Sequence, residues 1–159
     1  MDLNLVAPCG LDCANRELFA ANGRRDAWER AAARTGRSAE EMACKGCRDG
    51  NGCVFFSGCE TLECVRVRGV DFCSDCADFP CRRLMPLAEG AGFYPHNMKV
   101  YNLCRIKAVG LDGFLAEAPE IRRLYYKGKF RIGAGPQAPP RPRRKVRTNG
   151  TRTDKSGEQ

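Results

Sequence analysis

Residues 44–81 read CKGCRDGNGCVFFSGCETLECVRVRGVDFCSDCADFPC and hold eight of the chain's 11 cysteines. Two pairs within them, Cys44/Cys47 and Cys73/Cys76, have the C-x2-C spacing. A short loop of this kind lets two thiolates meet at one ion without straining the backbone, so two such pairs indicate metal ligation. The stretch therefore predicts a fold organised by thiolate-bound metal.

The rest of the chain offers limited material for a core. The whole chain has 159 residues and 8% aromatic side chains, which fits one small domain that gains stability from bound metal. Helices are predicted near residues 14–34, 61–68, 81–89 and 96–109. Strand candidates are limited to residues 53–56 and 65–67. We therefore predict a mostly α, small irregular cysteine-rich domain, stabilised by metal, with short helices and little β structure.

Local signals predict where some elements begin and end. Ser38 and Glu41 match a capping box, in which each side chain satisfies a backbone N–H of the other residue, so a short helical turn is expected there. Gly69 is expected to end the second predicted helix, and Gly110 the fourth. Pro119 suits the first turn of a further helix.

The basic charge is concentrated at the C-terminal end. The formal net charge is +8, yet residues 1–127 carry 18 Lys and Arg against 17 Asp and Glu, whereas residues 128–159 carry 9 against 2. We predict a cysteine-rich metal-binding domain over residues 1–130 and a disordered basic tail over residues 131–159. Residues 141–147 could bind nucleic acid weakly and without sequence preference, because no aromatic residue from 131 onward is available for base stacking. A solubilising extension is the simpler interpretation of the tail.

The expected compartment decides how the thiols are interpreted. Residues 1–11 lack the basic start and apolar run of a signal peptide, and no stretch reaches the roughly 20 apolar residues of a membrane helix. We therefore expect a cytoplasmic protein without membrane contact. In a reducing compartment a dense set of cysteines binds metal more often than it forms disulfides. The odd count of 11 would also leave at least one cysteine unpaired in a disulfide framework.

Nearly all metal ligation has to come from thiolate, because His96 is the only histidine. His96 itself is expected at the surface, at the start of a helix. Cys104 lies on the apolar stripe of the helix predicted over 96–109 and is expected to pack in the core. The other ten cysteines are the candidate metal ligands: Cys9, Cys13, Cys44, Cys47, Cys53, Cys59, Cys64, Cys73, Cys76 and Cys81.

Zinc is the favoured metal, since ten cysteines suffice for two closed four-thiolate sites and two separated C-x2-C pairs suit tetrahedral ligation. An iron–sulfur cluster is the main alternative. Cys73, Cys76 and Cys81 supply three thiolates within nine residues, and Cys9 or Cys13 could supply the fourth. A thiol–disulfide role for a C-x2-C pair is disfavoured, because no βαβ pattern surrounds either pair.

The sequence contains no Ser-His-Asp set, no phosphate-binding glycine loop and no convincing carboxylate pair, which favours a protein that is not an enzyme. The leading hypothesis is a small zinc-binding protein with a scaffold or accessory role and an unidentified protein partner. Two alternatives stay open. One is an iron–sulfur protein in electron transfer, cluster handling or redox sensing, and the other is a nucleic-acid-associated zinc protein that uses the basic tail.

Several stretches together resemble a family of small cysteine-rich proteins catalogued as domain of unknown function 3795. They include Cys9-Gly-Leu-Asp-Cys13, Cys44-Lys-Gly-Cys47-Arg48, Phe72-Cys73-Ser-Asp-Cys76-Ala-Asp-Phe-Pro-Cys81 and Tyr94-Pro-His-Asn97. The resemblance extends over roughly residues 5–127 and implies metal binding, with no general activity assigned. The family pattern often begins C-G-L-x-C-x-x-C, and Arg16 stands at its third cysteine position. The resemblance therefore implies that Cys9 and Cys13 complete a site with Cys73, Cys76 or Cys81.

Overall fold

The computed structural model of the chain describes residues 2–49, 53–55 and 58–138. The α-helices within these residues are α1 (Arg25–Thr35), α2 (Ala39–Met42), α3 (Glu60–Arg68) and α4 (Lys99–Lys127). Two short strands, β1 (Lys129–Arg131) and β2 (Gly135–Gln137), form an antiparallel hairpin in which Phe130 is opposite Pro136. Short 3-10 turns cover Leu3–Leu5, Ala20–Asn22, Cys73–Asp75, Arg82–Leu84 and Pro95–Met98. The prediction of a mostly α domain with little β structure is confirmed.

Local capping chemistry sets the ends of α2 and α3 as predicted. The Glu41 N–H donates to the Ser38 hydroxyl (3.2 Å), and the Ser38 N–H donates to the Glu41 carboxylate (2.8 Å), which completes the capping box at the start of α2. Gly69 ends α3 with φ +63°, a left-handed conformation that glycine adopts without a steric penalty. The strand candidate 65–67 is wrong, because these residues lie within α3.

Two predicted helices are shorter than expected. The helix expected over 14–34 begins only at Arg25, because Asn22 holds the preceding loop in an irregular form. Its side-chain amide donates to the carbonyls of Ala14 (2.7 Å) and Arg16 (2.9 Å). The helix expected over 81–89 is reduced to the single turn Arg82–Leu84. Pro86 explains this difference, since proline restricts the residue before it and has no N–H to donate.

Helix α4 is longer than predicted and contains a kink. Gly110 has φ +75° and ψ 172°, so the predicted interruption occurs, but the helix resumes immediately and extends to Lys127. Pro119 therefore lies inside the second half of α4 and not in the first turn of a new helix. A bidentate ion pair between Arg105 and Glu117 joins the two halves (2.7 and 2.9 Å). No helix of the described residues is both long and apolar enough to cross a membrane.

The core consists of two groups of buried side chains that share a neighbour. The larger group packs around α4 and includes Val6, Val65, Phe72, Cys73, Leu84, Leu103, Ile106 and Phe114. The smaller group contains Ala7, Cys13 and Phe19. Cys9 packs against both groups. The buried face of α4 runs through Asn102, so Cys104 is exposed and its predicted core position is wrong.

A buried hydrogen bond ties the N-terminal turn to α4. The side-chain amide of Asn102 donates to the carbonyl of Gly10 (2.8 Å). We expect Asn102→Ala to lower the free energy of unfolding by about 1–3 kcal/mol, because it leaves the buried Gly10 carbonyl unpaired. Urea denaturation followed by circular dichroism measures the change. Tyr101→Ala is the matched control, since Tyr101 is exposed on the neighbouring position of the helix, and equal effects of both variants would contradict the prediction.

The β1–β2 hairpin was not anticipated by the sequence analysis. It includes residues 131–137, which the composition assigns to the basic tail. The predicted tail from residue 139 onward lies outside the described residues, as do residues 56 and 57.

Candidate metal centre

Four of the candidate ligands line one small cavity of about 30 Å³: Cys13, Cys44, Cys47 and Cys53. Cys13 comes from the N-terminal turn, and the other three come from the chain that follows α2. The remaining wall is Arg16 together with the largely apolar set Leu18, Phe19, Val54 and Phe55. The cavity therefore places four sulfur donors and one guanidinium in a mainly apolar surrounding.

Backbone hydrogen bonds bring these segments together. The Cys44 N–H donates to the Leu18 carbonyl (2.8 Å), and the Cys44 carbonyl accepts from the Ala20 N–H (2.7 Å). These two bonds form a short parallel bridge that fixes the first C-x2-C pair against the N-terminal segment. The Cys13 N–H donates to the Leu5 carbonyl (3.0 Å), which holds the opposite wall.

The turn inside the first C-x2-C pair depends on glycine. Gly46 has φ +95°, a conformation that side chains with a Cβ rarely adopt. A Cβ at this position would also lie 3.0 Å from the carbonyl oxygen of Asn4. The close approach of this turn to the N-terminal segment is therefore part of what forms the cavity.

The side chains of Cys13 and Cys47 interact directly. A hydrogen bond from the Cys47 thiol lowers the pKa of Cys13, and the positive charge of Arg16 lowers it further, against the opposing effect of burial. The same hydrogen bond, together with burial, raises the pKa of Cys47. When protonated, Cys13 can donate to the Leu11 carbonyl (3.6 Å). The pair thus favours a thiolate on Cys13 next to a thiol on Cys47.

A second set of thiols surrounds Cys73. Burial raises the pKa of Cys73 to about 12, and the neighbouring Cys9, Cys81 and Cys64 add to the shift in that order. The Cys73 N–H donates to the Pro8 carbonyl (2.9 Å), so this loop is fixed beside Cys9. The structure therefore places the loop of Cys73 beside Cys9, which lies 64 positions earlier in the sequence.

Cys9 belongs to the set around Cys73 and also packs against the core group that contains Cys13. Burial raises the pKa of its thiol, whereas the ammonium group of Lys99 opposes that shift, and Cys47 and Cys59 are the other thiols that affect it. Lys99 also donates to the Nδ1 of His96 (3.1 Å), whose Nε2 is 2.9 Å from the Met85 carbonyl. The hydrogen-bond partners of the His96 ring are thus a lysine side chain and a backbone carbonyl.

Cys76 and Cys59 occupy other positions. The sulfur of Cys76 accepts hydrogen bonds from the guanidinium of Arg68 (3.0 Å) and from the N–H of Asp78 (3.4 Å). Cys59 and Cys64 line a separate, open groove of about 740 Å³ along α3. Nine of the ten candidate ligands therefore lie in the small cavity, in the set around Cys73 or along this groove, with Cys64 shared by the last two, and Cys76 lies outside all three.

The donors fit zinc in type and number, but the described conformation is not a closed site. All 11 cysteines lie within the described residues, and among these residues no three His, Cys, Asp or Glu side chains are arranged to hold an ion. Four thiols around one cavity match the ligand set of a structural zinc site. The structure thus places four thiols around one cavity without a tetrahedral arrangement.

Sequence reasoning did not assign a role to the cations beside the thiols. Arg16 was noted only as a departure from the family pattern, whereas it lines the cavity and stabilises the Cys13 thiolate. Arg68 and Lys99 carry no sequence signal, because their contacts with Cys76 and Cys9 depend on how α3 and α4 pack.

The chain matches the family described as "Protein of unknown function (DUF3795)" over residues 5–86. This segment covers just over half of the 159 residues. The chain belongs to this family. All ten candidate ligands lie within the family match, whereas Cys104 and the Tyr94–Asn97 segment lie beyond it. No curated protein and no solved structure matches the chain.

Proposed function

We propose that this member of the family is a metal-binding module that holds zinc through thiolates and has a scaffold or accessory role. The observation that carries the proposal is the cavity lined by Cys13, Cys44, Cys47 and Cys53. Zinc bound by these residues would join the N-terminal turn to the loop that follows α2. Its binding free energy would then contribute directly to folding.

The size of the cavity supports a single ion over a cluster. A volume of about 30 Å³ has room for about one or two water-sized particles. A [4Fe–4S] cluster contains four irons and four sulfides, so it would require the surrounding loops to open.

The cysteines around Cys73 provide a second possible four-thiolate set with Cys9, Cys64 and Cys81. Two sets of this kind would bind about two zinc ions per chain. The positive charges of Arg16 and Lys99 support both assignments, because each closed four-thiolate zinc site carries a net charge of about −2.

Elemental analysis of anaerobically purified full-length protein, together with its visible spectrum, tests the proposal. We expect about two zinc ions per chain and no visible absorption. A brown protein that contains acid-labile sulfide would contradict the zinc assignment and support the iron–sulfur alternative. Protein that binds neither metal after reconstitution under reducing conditions would remove the metal-binding function altogether.

A single substitution tests the assignment of the small cavity. Cys13→Ser should lower the zinc content by about one ion per chain, because a hydroxyl is a poor replacement for a thiolate. Cys104→Ser is the matched control, since Cys104 is exposed and remote from the cavity. A chromophoric chelator that counts released zinc gives the readout. Equal zinc contents in the two variants would show that the cavity is not a zinc site.

A further inference from the structure

The most exposed large apolar side chains of the described residues gather at the C-terminal end of α4. Ile132, Phe93 and Phe130 are 88%, 86% and 82% exposed. Phe130 and Ile132 belong to the hairpin that begins two residues after α4. Exposed aromatic rings at this density need a physical explanation, because each costs free energy in water.

A pair of hydrogen bonds places Phe93 at the same end of the helix. The hydroxyl of Tyr125, in the last turns of α4, lies 2.8 Å from the carbonyl of Ala91 and 3.1 Å from that of Tyr94. The loop that carries Phe93 and the exposed Tyr94 is therefore fixed to the part of α4 from which the hairpin departs. We refer to Phe93, Tyr94, Phe130 and Ile132 as the aromatic end.

The part of the sequence that contains the hairpin is strongly basic. Residues 121–153 contain 11 Lys and Arg and no Asp or Glu, whereas residues 1–120 contain 15 Lys and Arg against 17 Asp and Glu. Among the described residues, Lys127, Lys129 and Arg131 are exposed and flank Phe130. Phe130 thus stands between two exposed cations along the hairpin strand.

We infer that the aromatic end is a binding surface for single-stranded nucleic acid. The cations contact the phosphates, and the exposed rings stack on unpaired bases. Base stacking was not expected from the sequence alone, because the basic tail contains no aromatic residue. The fold supplies the rings from a loop and a hairpin that flank the start of that tail. This surface is separate from the thiol cavity, so neither function requires the other.

A single-stranded polymer explains the pattern better than an anionic lipid surface does. Aromatic rings stack on every type of base, and three of the four side chains of the aromatic end are aromatic. Interfacial lipid-binding segments commonly present their apolar side chains along one stripe of an amphipathic helix. Here these side chains belong to a loop and a hairpin, and no such stripe connects them.

Fluorescence anisotropy with a labelled 20-nucleotide oligo(dT), on the full chain at low salt, tests the inference. We expect Phe130→Ala and Phe93→Ala each to weaken binding by about tenfold, because each removes one stacked ring. Val67→Ala is the matched control, since Val67 is 78% exposed on α3, away from the aromatic end. Arg131→Gln should reduce the slope of log K against log salt by about 0.7, the value for one phosphate contact on a single strand.

The outcomes separate the possible explanations. Tight binding that both phenylalanine variants retain would overturn the stacking surface and leave only the charge of the tail. Equal weakening by Val67→Ala would overturn it as well. Retention on vesicles that contain anionic lipid, without binding to the oligonucleotide, would assign the surface to lipid. Circular dichroism spectra that match the parent's would confirm that the variants are folded.

Discussion

Removal of the proposed zinc should unfold the N-terminal half of this protein. If zinc joins Cys13 to the loop that carries Cys44 and Cys47, its loss removes a contribution that in zinc-finger peptides is about 10–16 kcal/mol. The net free energy of unfolding of a small domain is only about 5–15 kcal/mol. The lost zinc-binding free energy would therefore be as large as the entire stability of the domain. The small core group of Ala7, Cys13 and Phe19 has few other contacts to replace it.

Thermal unfolding in the presence of a thiol reductant measures this effect. The midpoint should fall steeply with excess chelator and recover when zinc is restored. A protein purified without metal should show reduced helical circular dichroism until zinc is added, because α4 remains. An identical unfolding midpoint with chelator and with zinc would contradict a structural role for the metal, whatever the elemental analysis finds.

Gly10→Ala should be the most damaging of the substitutions considered that leave every candidate metal ligand in place. Gly10 has φ +85°, and a Cβ there would lie 2.7 Å from both the Leu103 side chain and the backbone oxygen of Lys99. The backbone oxygen cannot move aside. The left-handed conformation costs about 1–2 kcal/mol and the overlap about 1–3 kcal/mol more, so a loss of about 2–5 kcal/mol is expected.

Gly36→Ala separates the two contributions to this loss. Gly36 ends α1 with φ +70°, but a Cβ there would meet nothing within 4 Å. It therefore carries the conformational cost without the overlap, and its urea midpoint should fall less than that of Gly10→Ala. Because Gly10 lies between Cys9 and Cys13, its substitution should also lower the zinc content, whereas that of Gly36 should not. Equal urea midpoints for the two variants would show that α4 shifts to accommodate the added methyl group, so that the overlap costs no stability.

The sequence predicted best those features that depend on neighbouring residues. The capping box at Ser38 and the end of α3 at Gly69 require only local hydrogen bonds and one favourable φ angle. The mostly α class and the family were predicted correctly for a similar reason, since composition and short motifs carry both. Pro86 also carried a local signal, but the periodicity argument for a helix over 81–89 overlooked it.

The grouping of the thiols could not be predicted, because it depends on contacts between distant segments. The bridge at Cys44 and the hydrogen bond from Cys73 to Pro8 decide which sulfurs become neighbours. Cys104 illustrates the same limit on α4. The buried face turns toward Asn102, a polar residue, because the Gly10 carbonyl is there to accept its hydrogen bond. The division of the ten candidate ligands into sets remains a prediction for the metal analysis.

The hydrogen bond between Asn102 and Gly10 also determines when the N-terminal turn can dock on α4 during synthesis. It joins residues 92 positions apart, so the turn that carries Cys9 and Cys13 cannot dock on α4 until Asn102 has left the ribosome. At translation rates of about 5–20 residues per second, the early cysteines precede this contact by several seconds. We therefore expect the thiols of this turn to be open to oxidation or to a metal donor during that interval.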